Sequence, residues 1–421
     1  MKRIYSFILA FAMLITAGII PAVYAEKETV KVQRVCTATL EEDFADDVVI
    51  VTVDKEHSEV NKEYTIEQFS CIDILEIVDL THFEKDPNEL KYFKRSGFRQ
   101  ALELKLAHPG KEEVLKAIHT LERNIDFAES VNPDYYIPVE PIYKSDDEDT
   151  NEVISEETSS DDTVKENGTA AEVSTCSIYP NDPEYSNQWG LRYINAPQAW
   201  EITTGNSEST PMSERVMVGV IDSGVADNPD LEGNVYWDMA RDFYHDTAGK
   251  NAVTDDPSGH GTHVAGIIGA KGNNGIGITG VCWNAAIVPL QAVITDGEDR
   301  GLISSKAVRK AVVYATEENI PILNCSFGGK GSTNVYMDAM EAYDGLIVCA
   351  AGNETTDIDQ TPYEPAGFPF DNIISVANAT NSYYLNWDSN FGTTNVDIAA
   401  PGTRIISTVA SGYTEMSGTS M

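Results

Sequence analysis

The sequence is short of cysteine and of basic residues, and beyond its first 25 residues it has no long apolar run. Its six cysteines (Cys36, Cys71, Cys176, Cys282, Cys325 and Cys349) are scattered without a Cys-x-x-Cys pair. That excludes a disulfide-dense scaffold and points away from a cysteine metal or redox centre. No disulfide is assigned, and Cys325 and Cys349 lie inside apolar runs, where a thiol serves as a small hydrophobe. Only 29 Lys plus Arg stand against 67 Asp plus Glu, a formal net charge of −38. No nucleic acid and no anionic membrane surface is therefore expected as a partner, while the surplus of carboxylates favours solubility and hints at cation binding. The two histidines of "GHGTHVAG" have no glutamate between them and no evident third ligand, so zinc is not expected either.

A chain of 421 residues is long enough for more than one core. Residues 1–25 carry Lys2 and Arg3, then an apolar run shorter than the roughly 20 residues of a membrane span, then Val23 and Ala25 at the small-residue positions of a cleavage site. They read as a secretory signal, which predicts a secreted or cell-surface protein with no stable membrane insertion once the signal is removed. Residues 144–176 hold the stretch from Lys144 to Ser174, with eleven carboxylates against two lysines and almost no aliphatic pattern. Such a segment buries too little apolar surface to offset its ordering entropy and reads as a linker.

Between signal and linker, residues 26–143 combine a strand-like run at Asp47 to Asp54, a helix at Lys111 to Asn124 with Val114, Leu115, Ile118 and Leu121 on one face, and an extended segment at Tyr135 to Tyr143. This is a small α+β domain with no catalytic constellation. After the linker, residues 177–421 alternate helical patterns with near-continuous hydrophobic runs at Val216–Asp222, Ala285–Ile294, Ile320–Phe327 and Gly345–Asn353. Runs of that kind are strands buried on both faces of a parallel sheet, and Ala307, Val308, Ala311, Val312 and Ala315 mark a helix between two of them. The expected fold is α/β, doubly wound, with its chemistry outside the carboxyl ends of the strands.

Two such ends carry Asp222 and Asn353; with His260, which opens a helical run, and Ser420, among the small residues of Gly-Thr-Ser-Met, they supply in chain order an acid, a base, an amide donor and a hydroxyl. Alone, Asp222 and Asn353 read equally well as turn residues. Together, "VIDSGV", "GHGTHVAG", "AAGN" and "SGTSM" resemble the four active-site blocks of the subtilases, the subtilisin-like serine proteases, over about Tyr179 to Met421. "NDPEYSNQWGLRYINAPQAW" resembles the family's mature amino-terminal region, and residues 26–143 its propeptide.

The resemblance implies a secreted serine endopeptidase made as a zymogen, with Ser420 as nucleophile, His260 as general base, Asp222 orienting the imidazole and Asn353 donating to the oxyanion. It implies a structural role for His263. "NCSFGGK" corresponds to the strand that pairs with an extended peptide substrate, so Ser326, Phe327 and Gly328 would bind substrate main chain and line a specificity pocket, with broad specificity and a preference for large apolar side chains. "KGNNGIGITG" corresponds to a calcium loop, with ligands from the Asn274 side chain, the carbonyls of Gly272, Ile276 and Ile278, and the carboxylates of Asp182 and Asp230. The propeptide would inhibit its own catalytic domain. The rival readings are a non-catalytic binding or structural protein on the same scaffold and a serine-carboxyl peptidase, which would want a glutamate in place of His260. Because the family's nucleophile opens a long buried helix, a chain stopping at Met421 is expected to be a fragment and by itself inactive.

Overall fold

The structure is a computed structural model, describing residues 36–58, 62–81, 99–138, 178–295, 301–330 and 334–421. The signal-like residues 1–25 and the acidic stretch 144–176 lie outside the described residues. Among the described residues no helix is long and apolar enough to cross a membrane.

The first part consists of β1 (Phe44–Val53), β2 (Ile74–Asp79), β3 (Ala101–Leu106), α1 (Lys111–Asn124) and β4 (Ala128–Pro138). Helix α1 buries Val114, Ala117, Ile118 and Leu121 against Val49, Val51, Leu102, Leu104 and Val131 of the sheet. The other sheet face carries Val48, Ile50 and Ala101. Alternation along β1 and β3 thus gives each face its own apolar set.

The second part contains β5 (Met217–Asp222), α2 (His260–Gly269), β6 (Ala286–Gln291), β7 (Leu302–Ser304), α3 (Ser305–Glu317), β8 (Ile322–Cys325), α4 (Asn334–Ala342), β9 (Leu346–Ala350), β10 (Ile373–Ala379) and β11 (Ile398–Pro401), followed by the hairpin β12 (Ile405–Val409) and β13 (Gly412–Met416). The main sheet runs β11-β10-β9-β8-β5-β6, with two short pieces, Arg241–Asp242 and Thr247–Ala248, completing eight strands. The six named strands pair in parallel. Val220 and Ile287 face Val264 and Ala265 of α2, whereas Ile221 and Val288 face Ala307, Val308 and Ala311 of α3. Neighbouring residues of one strand therefore serve opposite helix layers, as the doubly wound reading requires.

The two parts share a sheet: the order β2-β3-β1-β4-β7 joins the first part to an edge strand of the second, with Tyr136, Ile137 and Pro138 antiparallel to Ser304, Ile303 and Leu302. Asp134 accepts hydrogen bonds from Ser304 Oγ (3.0 Å to Oδ2), Ser305 Oγ (3.0 Å) and Lys306 N (2.9 Å), an acidic cap on the N-terminus of α3. Lys306 Nζ meets Glu103 at 3.1 Å, and Arg309, fully buried, reaches Asp338 (2.5 Å) and the carbonyl of Arg99 (2.7 Å). Val335 of α4 completes the apolar contact against Val48, Ile50 and Ala101.

Candidate active site

Strands β5, β8 and β9 are sheet neighbours in register, Ile221 beside Cys325 and Cys325 beside Cys349, so their carboxyl ends open on one side. Asp222 closes β5 and is buried. Its Oδ1 accepts from His260 Nδ1 (2.8 Å) and from the Ser223 main-chain N–H (2.7 Å). His260, also buried, is the first residue of α2. The helix start presses on the end of β5: a Cβ on Gly261 would overlap the carbonyl oxygen of Gly224 and sit 3.1 Å from Asp222 Oδ1. Only glycine permits that approach.

A second carboxylate supports this pair. Asp256 accepts from Ser223 Oγ (2.7 Å), Gly259 N (3.0 Å), Thr262 N (2.9 Å) and Thr262 Oγ1 (2.5 Å), fixing the turn into α2. Burial pushes its pKa up, with the Asp222 charge adding to the shift while the Ser223 and Thr262 donors oppose it. His263 lies one helical turn on, its Nε2 3.0 Å from Ile405 O and 3.1 Å from Thr414 O, a tie between α2 and the β12–β13 hairpin. Burial, and then repulsion from His260, lowers its pKa to about 4. His263 is held by main chain, in keeping with a structural position.

Asn353 follows β9 through Gly352, whose φ of 98° is a conformation that favours glycine. Asn353 Oδ1 accepts the Thr419 N–H at 2.9 Å, which fixes the side-chain amide against the Gly418–Ser420 turn. Ser420 lies in that turn, 7% exposed, and exchanges two hydrogen bonds with Ser326: Ser420 Oγ donates to Ser326 O (3.1 Å) and Ser326 Oγ to Ser420 O (3.0 Å). The nucleophile candidate is thereby fastened to the substrate-strand candidate Ser326–Gly328. The motif residues, separated by up to 198 positions in sequence, converge at the carboxyl ends of the sheet.

The family profile for subtilases matches residues 213–421. Thermitase of Thermoactinomyces vulgaris is 34% identical over 250 residues, covering 58% of this chain and 80% of thermitase. The chain belongs to the subtilase family. Other relatives extend well beyond it: subtilisin-like protease 2 of Plasmodium falciparum (isolate 3D7) is 33% identical over 254 residues, but those span 18% of that protein. The structure of fervidolysin from Fervidobacterium pennivorans, a keratinolytic enzyme related to subtilisin, superimposes with a TM-score of 0.61 over 93% of this chain and 55% of its own. At 21% identity that likeness concerns the fold.

The side chains of the expected calcium loop lie together in this subtilase. Asp182 accepts from the main-chain N–H groups of Asn273 (2.6 Å) and Asn274 (3.1 Å). Asp230 accepts from Asn274 Nδ2 (2.8 Å) and Ile278 N (2.8 Å), and Asn274 Oδ1 accepts from Ile276 N (2.9 Å). Burial raises both carboxyl pKa values, that of Asp230 to about 6 with the Asp182 charge contributing. Two buried carboxylates that repel one another beside a loop rich in carbonyls form an oxygen-only donor set, which fits a hard cation. Sequence reasoning passed over Asp256, whose Asp-Pro-Ser-Gly setting resembles an ordinary turn, and Tyr363, considered below.

Proposed function

We propose that this subtilase is a secreted serine endopeptidase, made as a zymogen whose first domain covers the catalytic part until it is cut away. The observation that carries the catalytic reading is the buried Asp222–His260 pair at 2.8 Å at the carboxyl end of β5, with Ser420 fastened through Ser326 to the end of the neighbouring β8. Asp222 accepts from Nδ1 and so holds the tautomer whose Nε2 takes a proton. For attack, Ser420 gives up its bond to Ser326 O, passes its proton to His260 and adds to the substrate carbonyl; the imidazolium protonates the amine as the tetrahedral intermediate collapses to the acyl-enzyme, which water then hydrolyses with His260 again as base. The Asn353 amide, fixed against the Ser420 turn, donates to the oxyanion. Substrate main chain pairs with Ser326–Gly328, so recognition of the backbone is independent of sequence.

The secretory part of the proposal rests on the composition of residues 1–25, and inhibition by the first domain on its seat along β7 and α3. A fluorophosphonate probe tests the catalytic and the inhibitory readings. Ser420 of the full-length protein should be labelled rapidly after loss of residues 26–143 and slowly before, with Ser420→Ala unlabelled. Absence of labelling in the processed protein supports the non-catalytic scaffold instead; equal rates before and after processing sink the inhibitory role.

Asp182, Asp230, Asn274 and the carbonyls of Gly272, Ile276 and Ile278 would hold a structural calcium. Bound only to the native state, it should stabilise by about 2.7 kcal/mol at a hundred times its dissociation constant. The pH dependence has a definite sign. Asp230 titrates near 6 when folded against about 3.9 when unfolded, so the folded state binds the extra proton and stability falls as pH rises through that window. In chelator, the thermal midpoint should therefore drop between pH 4 and 7, and calcium should remove most of the drop at pH 7. A midpoint at pH 7 indifferent to calcium would leave the loop a plain turn.

A further inference from the structure

The segment Ser326–Gly328 and the segment Ala351–Asn353 flank the place where the side chain of the residue at the scissile carbonyl must enter: that carbonyl lies between Ser420 and Asn353, and its main chain pairs with the first segment. Each flank carries a glycine, Gly328 and Gly352, and the space between the two glycines is filled by the ring of Tyr363, which is 1% exposed. A Cβ on Gly328 would overlap Cε1 of that ring, and one on Gly352 would lie 2.6 Å from its Cζ and 2.7 Å from its Cε1. The ring edge rests directly on the main chain of both walls.

The position of Tyr363 is fixed from behind. Tyr363 and Glu364 pair antiparallel with Lys330 and Gly329, immediately after Gly328, and the Tyr363 carbonyl accepts the Gly367 N–H at 2.7 Å. The strand that leads out of the substrate segment thus anchors the residue that closes the space beneath it. A large side chain entering here meets an aromatic ring packed at interior density, and overpacking such a site is destabilising.

We infer that Tyr363 is a specificity-determining residue that shortens the primary pocket, so that this subtilase cuts after small residues such as glycine, alanine and serine. The assignment reverses the preference for large apolar side chains implied by family resemblance, and it rests on the endopeptidase reading above.

The test uses the matured full-length protein and chromogenic peptides identical except for alanine, leucine or phenylalanine at the cut position. One methylene too many in a pocket is worth about 10–200-fold in kcat/KM. The alanine peptide should therefore exceed the phenylalanine peptide by at least about 100-fold. Tyr363→Ala should raise hydrolysis of the phenylalanine peptide by a similar factor, Tyr363→Leu by less, and Tyr363→Phe should keep the original preference because ring volume, not the hydroxyl, sets it. Tyr363→Leu keeps an apolar side chain in the core and serves if the alanine variant does not fold. Equal rates for alanine and phenylalanine in the unmutated protein overturn the inference, as does an unchanged ratio in the folded Tyr363→Leu variant. If no peptide is cut and fluorophosphonate does not label Ser420, the endopeptidase reading fails and this one with it; a wrong ratio with intact labelling defeats the pocket assignment alone.

Discussion

Asp222→Asn is expected to lower kcat by about 10⁴-fold with little change in KM or in thermal midpoint. The carboxylate is buried and its Oδ1 accepts both His260 Nδ1–H and the Ser223 N–H. Asparagine keeps the volume but can present an N–H to the imidazole, which favours the tautomer with the proton on Nε2 and removes the base from Ser420. The magnitude is that measured for the equivalent change in a triad of the same geometry on another fold. The variant should still take up fluorophosphonate, far more slowly, and its residual rate should rise with pH as the wrong tautomer is bypassed. An activity within tenfold of the unmutated protein would mean that Asp222 only caps the turn after β5.

Asn353→Ala is expected to cost about 10²–10³ in kcat, a range established on subtilisin itself for loss of one oxyanion donor. Asn353 has two hydrogen-bonding duties here. Its Oδ1 accepts Thr419 N–H at 2.9 Å, so the alanine variant also frees the turn that carries Ser420. Asn353→Asp separates the duties: it keeps an acceptor for Thr419 and replaces the donor by a charge that repels the oxyanion. Both variants should lose kcat, whereas only the alanine variant should loosen the Ser420 turn, read as faster amide exchange at Thr419. If Asn353→Asp retains full kcat, the amide is not the oxyanion donor.

Asp222 and Asn353 were legible in the sequence because each sits at the end of a hydrophobic run, and a parallel sheet gathers such ends on one side; His260 and Ser420 were legible from the small-residue motifs around them. The buried runs at Val216–Asp222 and Gly345–Asn353 became β5, which begins one residue later, and β9, which begins one residue later and ends three earlier. Strand β2 left no comparable signal, and β3 was passed over although Leu102, Leu104 and Leu106 alternate with Glu103 and Lys105. In β2, Leu75 and Val78 are exposed while Glu76 and Asp79 interrupt the run, so its apolar residues do not mark one face.

Helix α3 shows a different limit. Its apolar stripe was readable, but Arg309 and Lys310 would ordinarily mark a solvent face; they are buried because the first part and Asp246 supply partners from far away in sequence. Tyr363 was illegible for the same reason. A tyrosine among Thr, Pro and Glu reads as a loop residue, and only the fold places its ring between Gly328 and Gly352.

The cap on α3 is double. Ser304 Oγ accepts the Ala307 N–H at 3.2 Å from within the catalytic part, while Asp134 contributes from the first part. In the zymogen proposed above, loss of the first part would leave Ser304 to close the helix and Arg309 to hold Asp338 and the Val335 carbonyl (2.9 Å). The helix gives up bonds at the Ser304 and Ser305 hydroxyls, the Lys306 amide and one guanidinium N–H, which water can replace, together with the ion pair of Lys306 with Glu103. Departure is therefore cheap for the helix but strips the cover from Val335 and bares the hydrogen-bonding edge of β7, so the cost falls on solubility. A processed population at high concentration has a ready-made seam for self-association, and the surplus of carboxylates that residues 177–421 still carry is the counterweight that keeps such seams apart.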